Sequence, residues 1–480
     1  MALAAELAYL GWLAGEELTR QKNVQQARDY YAGDHAVPLT DRQAAYLGFQ
    51  KGGRFAANYC ATVVNSVMER MIVTGVACQD DEVHDWAWQV WRENRGDALQ
   101  MDVHQTAIRD GETFVMVDWD GTKPRLTFHP RYVSSQAGGD GFGCKAFYPN
   151  DDHRQPMLYA TKRWTETAPP RQGGSQTRQR LTVYYPERVE KYVLTTTNEA
   201  GWAPFAEEDG GVWPVAWVDG LGRPLGIPVL HFRNADMRSE LWDVIPLQDA
   251  INKALLDLLA GQDTAGFRIF FARGFFATTD GNPPASDGSN YLKLAPGQIV
   301  GTGATEAEFT PIEPADLKPM IETFWTLVLT LAQVTDTPVN RFQVTRQIAG
   351  AETQKQGEEP LLAKVRARQV LIGNAWEDLL SLARRVANTF GGAGLDESAR
   401  MEMQWAPAAT RDEEKFFTTL ALKHEKIGVP LEQIWREAGY SQDEIDAMMA
   451  SQEMKARLAT MKMATVMATD GNGFSPRALG

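Results

Sequence analysis

Cysteine and histidine are scarce in this sequence. Only three cysteines occur among 480 residues, and Cys60, Cys78 and Cys144 are too far apart to form a C-x-x-C pair. Zinc-ribbon and thioredoxin-like sites therefore lack support, and a disulfide framework is not expected in so long a chain. We expect reduced cysteines that pack in hydrophobic cores. The seven histidines are scattered along the chain, so the sequence predicts neither a metal site nor another cofactor.

Motifs of nucleotide-dependent and hydrolytic enzymes are also missing. No Gly-Lys pair occurs in the chain, which excludes the G-x-x-x-x-G-K-[ST] loop that holds phosphates. Neither G-x-S-x-G nor H-E-x-x-H is present, and His424-Glu425 lacks the second histidine. The glycine clusters at 138–143 and 220–226 do not match G-x-G-x-x-G, so we interpret them as turns. The sequence therefore predicts a protein that is not an enzyme.

Long apolar runs are absent as well. Leu327–Val334 is far shorter than the roughly 20 residues that a membrane span needs. Met1–Gly15 is apolar but lacks the basic start of a secretory signal, and it predicts an amphipathic helix. With 44% hydrophobic and 23% charged residues, we expect a soluble globular protein. Its formal net charge of −14 argues against a protein that binds nucleic acid by neutralising many phosphates.

Apolar periodicity changes along the chain and predicts an α+β fold that is mainly helical. Residues 1 to about 100 have helical spacing, and residues 410–467 predict several shorter helices between glycine turns. Residues 110–232 predict an antiparallel sheet region, with residues 167–180 as an exposed excursion between two of its strands. Three long helices are predicted at Met237–Gly261, Leu317–Thr335 and about Thr353–Phe390, and the first two bracket a small β insert with a turn-rich tip at Asp280–Ser289.

Six features follow one another along the chain. They are the aromatic Y-Y-x-G run in Tyr30–His35, Asn58 with the helix Val63–Arg70 and the turn Gly75-Val76, the strand Gly226–Phe232, the helix start Ile245–Lys253, the break Thr335–Gly350, and the long helix after it. In this order they resemble the portal (head-to-tail connector) family of tailed bacteriophages, in its long-tailed branch, and the resemblance covers nearly the whole chain. Many members carry a Ser-Gly-x-Ala-Leu run at the start of the long third helix, where this chain has Ala349–Gln354. The resemblance therefore depends on the order of the features.

The resemblance implies a ring of about a dozen identical subunits. The acidic composition suits a channel wall, because such a wall repels phosphates and allows DNA to slide. The implied parts are a wing at 1–236, a first stem helix at 237–266, a clip at 267–316, a second stem helix at 317–335, a tunnel loop at 336–352, a long helix with a return to the wing at 353–409, and a helical crown at 410–480.

The function that the resemblance implies is a channel at one capsid vertex through which double-stranded DNA is packaged and ejected without sequence recognition. Its implied partners are other copies of the chain, the terminase large subunit, a head–tail adaptor, and the major capsid and scaffolding proteins, with no membrane. It would be located at the portal vertex of the virion, and in the host cytoplasm during assembly. Two alternatives remain open: an unrecognised soluble α+β enzyme, and a minor capsid or scaffold protein.

Candidate DNA-facing residues lie in the break Thr335–Gly350. This stretch is polar and contains Pro338, so we expect it to leave the packed body and enter the channel of a ring. The alternative role for the arginines of this stretch is salt bridging to a neighbouring subunit or to Glu358 and Glu359. Salt bridging of this kind is the favoured interpretation for Lys364, Arg366 and Arg368 on the next helix. The candidates are Asn340, Arg341, Phe342, Gln343 and Arg346.

Overall fold

The computed structural model contains two compact units. The larger combines residues 1–32, 58–244 and 335–480, and the smaller combines residues 33–57 and 245–334. In the part of the chain that the structure describes, no helix combines the length and apolarity that crossing a membrane requires. The described residues are 15–34, 57–133, 143–167, 177–195, 201–266, 270–273, 278, 306, 308–311, 316–342, 351–409, 413–440 and 444–455.

The predicted helix at Met1–Gly15 and the predicted tip at Asp280–Ser289 lie outside the described residues. Residues 444–455 are helical at the end of the described chain. The other α-helices are α1 (Gly15–Tyr31), α2 (Tyr59–Met68), α3 (Asp81–Glu93), α4 (Gly96–Asp110), α5 (Ile245–Gly266), α6 (Lys318–Val334), α7 (Ala351–Val386), α8 (Glu413–Leu422) and α9 (Leu431–Ala438).

The described strands form four antiparallel sheets. Their orders are β1-β13, β10-β2-β3, β11-β12, and β4-β5-β6-β7-β8 with β9 also paired to β7. The strands are β1 (Val73–Cys78), β2 (Glu112–Trp119), β3 (Pro124–Pro130), β4 (Cys144–Phe147), β5 (Tyr159–Thr167), β6 (Thr177–Tyr184), β7 (Arg188–Thr195), β8 (Gly201–Pro204), β9 (Val215–Ala216), β10 (Val229–Arg233), β11 (Phe270–Arg273), β12 (Glu308–Pro311) and β13 (Met401–Trp405).

In the described part of the smaller unit, two helices accompany a two-stranded antiparallel sheet. In α6, the apolar side chains of Phe324, Val328 and Leu331 recur at helical spacing and are buried. Gly261 in α5 allows close packing, because a Cβ there would lie 2.8 Å from the side chain of Leu317. Between the two helices, β11 pairs with β12, and Phe271 lies opposite Thr310.

Trp376 of α7 lies at the centre of the larger unit. Its fully buried ring meets Trp91 of α3 edge-on at 5.0 Å and Phe232 of β10 at 4.7 Å. Its indole Nε1–H donates a hydrogen bond to Nε2 of His104 at 3.0 Å, so the proton of this neutral imidazole is on Nδ1, 2.9 Å from the carbonyl oxygen of Met71. Burial lowers the pKa of His104 to about 4.

Acidification should destabilise the larger unit through His104. The unfolded imidazole takes up a proton near its usual pKa of 6.5, whereas the folded one resists protonation down to about 4. The stabilising effect of the neutral ring is therefore complete above pH 6.5 and is lost as the pH falls towards 4. At pH 5 the loss in the free energy of unfolding should be about 2 kcal/mol. Urea unfolding of His104→Gln between pH 7 and 5 should show a flatter pH dependence, whereas the exposed control His424→Gln should keep the parental slope.

Three expectations from the sequence are wrong. The first of the three long helices begins at Ile245 and not at Met237, because Asp236 and Met237 adopt left-handed backbone conformations (φ 52° and 51°) and Pro246 suits the first turn of a helix. Residues 177–180 are not part of an exposed excursion but belong to β6, where Arg180 is only 1% exposed and lies 3.5 Å from the ring centroid of Phe205. The first hundred residues are not purely helical, because they contain β1.

Candidate functional site

The break between α6 and α7 is described as far as Phe342, and we call Thr335–Phe342 the loop segment. Its backbone turns at Asp336, which has a left-handed φ of 54°. Pro338 then precedes a single 3-10 turn, Val339–Arg341. The other two candidate residues, Gln343 and Arg346, lie outside the described residues.

Partly buried polar contacts hold the start of the loop segment on the larger unit. Lys364 Nζ donates to the carbonyl oxygen of Thr335 at 2.6 Å and lies 3.3 Å from a carboxylate oxygen of Glu240. Arg368 donates to Glu240 from Nη2 and Nε, at 2.6 and 3.1 Å. Burial alone would raise the pKa of Glu240, but the two cations outweigh it and lower this pKa. Lys364 and Arg368 are thus structural cations, although their partner is Glu240 and not the predicted Glu358 or Glu359.

The end of the loop segment is held by an aromatic contact. Phe342 is 8% exposed, and its ring meets Tyr59 edge-on at a centroid distance of 5.5 Å. Tyr59 is the first residue of α2, and Asn58 caps this helix by accepting a hydrogen bond from the Ala61 amide at 3.3 Å. The Phe342 side chain therefore packs within the larger unit, and the structure does not present it to a ligand.

The middle of the loop segment is exposed and carries mixed charge. Asp336, Asn340 and Arg341 are all exposed. Arg341 Nη2 donates to Glu69 Oε2 at 2.5 Å, and its Nε donates to Ser66 Oγ at 3.3 Å. The two charged side chains remain 34% and 48% exposed. An ion pair this open to solvent contributes at most about 1 kcal/mol to stability, so Arg341 can exchange partners readily.

Comparison with known proteins shows the family of the chain. Residues 10–459 match the family model for "Phage portal protein, SPP1 Gp6-like". The chain belongs to this portal protein family. A curated relative, the portal protein of Mycobacterium phage D29, is 23% identical over 438 residues, which is 86% of this chain and 82% of that protein.

Solved structures of gene transfer agent particles are similar to this chain at low sequence identity. One is the neck of a native gene transfer agent particle computed with C12 symmetry, with a TM-score of 0.40, 12% identity, and coverage of 78% of this chain and 88% of that chain. Another is the virion of a native gene transfer agent particle, with a TM-score of 0.35, 12% identity, and coverage of 77% and 89%.

The two acidic residues that contact the cations of the site, Glu69 and Glu240, do not stand out in the sequence. Glu69 is separated from Arg341 by 272 residues, and Glu240 from Arg368 by 128 residues. Glu69 also lies at the C-terminal cap of α2, where the negative end of the helix dipole disfavours a carboxylate. An acidic residue at such a cap is a weak signal that a cation lies nearby.

A second polar cluster lies in the larger unit and connects α1 to three sheet strands. Arg131, just after β3, donates to both oxygens of Glu17 (2.9 and 2.7 Å) and to both oxygens of Glu112 (2.8 and 2.9 Å). Lys145 lies 2.7 Å from Glu17, and His231 Nε2 lies 2.9 Å from Glu112. The cluster lines a pocket of about 760 Å³.

The charges in this cluster nearly balance one another. Burial opposes ionisation of Glu112, but Arg131 and Arg20 hold its pKa far below the usual range. Burial also lowers the pKa of His231, which favours its neutral form. Such pairing suits a structural connection better than acid–base catalysis, which needs a poised proton. Among the described residues, no group of three or more His, Cys, Asp or Glu side chains could hold a metal ion.

Proposed function

We propose that this chain is the subunit of a closed ring at one vertex of a phage-type capsid, and that double-stranded DNA enters and leaves through the ring's channel. The match to the portal family over residues 10–459 is the observation that carries this proposal. A closed cyclic assembly repeats the same surface around one axis, so a single exposed segment in each copy can form a complete collar around DNA. The absence of a Walker-type loop from the sequence is consistent with a separate packaging motor.

We propose that the loop segment and the residues up to Gly350 face this channel. Asn340 and Arg341 are the described members of the predicted set that are exposed, and Gln343 and Arg346 remain expected contacts. The buried ring of Phe342 instead supports the segment through Tyr59. Contact through a few side chains per copy favours weak, sequence-independent interaction with phosphates, as DNA passage requires.

The remaining parts of the chain would then provide docking surfaces. Helices α5 and α6 would form the stem, and the β insert between them would form the clip that binds the terminase large subunit and later the head–tail adaptor. The helices after residue 410 would form a crown that faces the capsid interior. The wing would contact the major capsid and scaffolding proteins. A ring with a central channel would distinguish the proposal from the two alternatives that the sequence left open, a soluble α+β enzyme and a minor capsid or scaffold protein.

Replacing Arg341 and Arg346 with alanine should leave ring assembly intact but alter DNA packaging or retention. Arg341 is exposed and its ion pair contributes little to stability, so folding and assembly should tolerate the change. Assembly would be measured by native mass spectrometry, and packaged DNA by nuclease protection in particles built with the variant. Arg366→Ala is a matched control, because Arg366 is an exposed arginine 3.5 Å from Glu359 on the same helix. If Arg366→Ala changed the amount of packaged DNA as much as the loop variant does, the placement of Arg341 and Arg346 in the channel would be contradicted.

A further inference from the structure

We infer that Glu69 acts as a built-in competitor for DNA phosphate, by keeping Arg341 partly neutralised so that DNA can slide past it. The inference rests on the proposed function, since it requires Arg341 to face the channel. Glu69 would be a positioning residue, because it acts on DNA only through Arg341.

The contacts of Arg341 favour competition between Glu69 and DNA phosphate over a purely structural role for Glu69. The Glu69 carboxylate lies 2.5 Å from Nη2 of Arg341, while Ser66 Oγ lies 3.3 Å from its Nε. A guanidinium has five N–H donors in a fixed fork, so these contacts leave donors able to meet a phosphate. A phosphate that approaches must do so beside a carboxylate of the same sign, and that repulsion weakens the contact.

Charge neutralisation explains how a carboxylate beside Arg341 would weaken DNA binding. Firm neutralisation of a phosphate releases condensed counterions and makes DNA binding tight and strongly salt-dependent. The Arg341–Glu69 pair has no net charge, so its contact with DNA gains little from counterion release. In a ring every copy repeats the pair, and the effects of all copies act together on the same DNA.

The position of Glu69 also indicates that its carboxylate does not stabilise α2. Glu69 caps the C-terminal end of α2, where a carboxylate faces the negative end of the helix dipole and is disfavoured. A neutral residue would serve the helix at least as well. Glutamine could still accept a hydrogen bond from Arg341, which separates the role of the charge from that of the contact.

The test is duplex binding by purified rings of the full chain across a salt series. Linear DNA can thread a closed ring, whereas a closed circular duplex of the same length cannot, so the difference between them reports DNA in the channel. We expect Glu69→Gln to tighten the binding of linear DNA several-fold and to steepen its salt dependence. Binding of circular DNA should stay unchanged. Glu69→Gln combined with Arg341→Ala should behave like Arg341→Ala alone.

Two further variants keep the result decisive. Glu359→Gln removes an exposed carboxylate on α7 beside Arg366, and it should not change the binding of linear DNA. Glu69→Asp keeps the charge on a shorter side chain and should bind linear DNA with an affinity between those of the parental chain and Glu69→Gln. If Glu69→Gln does not assemble, Glu69→Asp takes its place in the test. Unchanged binding in Glu69→Gln and Glu69→Asp, with weaker binding in Arg341→Ala, would overturn this inference alone. If Arg341→Ala also has no effect, the placement of the loop segment in the channel fails as well.

Discussion

Replacing Arg131 with methionine should lower the free energy of unfolding of the larger unit by about 3–5 kcal/mol, the cost of breaking a buried ion pair from one side. Arg131 holds both oxygens of Glu17 and both oxygens of Glu112. Methionine fills a similar length of the site but leaves two buried carboxylates with fewer cationic partners. Arg131 connects Glu17 on α1 to Glu112 on β2, so its replacement removes part of the attachment of α1. We therefore expect α1 to detach before the rest of the larger unit unfolds.

Urea unfolding followed by tryptophan fluorescence would measure this loss. Arg223→Met is the matched control, because Arg223 is 71% exposed and pairs with Asp219 at 2.6 Å on the surface. That pair should contribute less than about 1 kcal/mol. If the two variants unfold at the same urea concentration, the Arg131 cluster is not a structural connection. Faster proteolysis within α1 in Arg131→Met alone would support the expected order of detachment.

Replacing Trp376 with alanine should have an effect of similar size, about 3–5 kcal/mol, because it removes a buried aromatic ring and leaves a cavity. The ring contacts Trp91 and Phe232 and donates the hydrogen bond that His104 Nε2 accepts. Loss of that donor leaves a buried acceptor without its partner, which adds to the cost.

Thermal unfolding followed by circular dichroism is the appropriate measurement, since the fluorophore itself changes. Trp242→Ala is the control, because Trp242 is 49% exposed and has the guanidinium of Arg238 over its ring at 5.1 Å. We expect the control to unfold close to the parental temperature. A similar shift in both variants would show that Trp376 is not central to the core.

Elements whose signal is local could be predicted from the sequence. The sheet region that the sequence predicts from residue 110 begins with β2, which runs from Glu112 to Trp119. The predicted helix Leu317–Thr335 corresponds to α6, and the end of the long third helix is marked by Gly392, which has a left-handed φ of 64°. In each case the signal lies entirely within neighbouring residues. The spacing of apolar residues indicates a helix or a strand, and a glycine marks the end of a helix.

Features that depend on distant partners could not be predicted. Strand β1 pairs with β13, where Val76 lies opposite Met403, and neither short run shows this partner in its own pattern. The burial of Phe342 depends on Tyr59, so an aromatic residue in a polar stretch was expected to be exposed. Asn340 and Arg341 were predicted as exposed loop residues and are exposed, whereas the counter-charge at Glu69 became visible only in three dimensions.

Single-particle electron microscopy of the purified chain would show whether its copies form a closed ring around DNA. We expect closed rings with a central channel wide enough for a DNA duplex, and Asn340 and Arg341 of every copy on the channel wall. Subunit number is not the criterion, because recombinant rings can differ from those in particles. A compact monomer at micromolar concentration under all salt conditions tested would contradict ring formation, and rings with Arg341 on the outer surface would contradict the position of the loop segment in the channel.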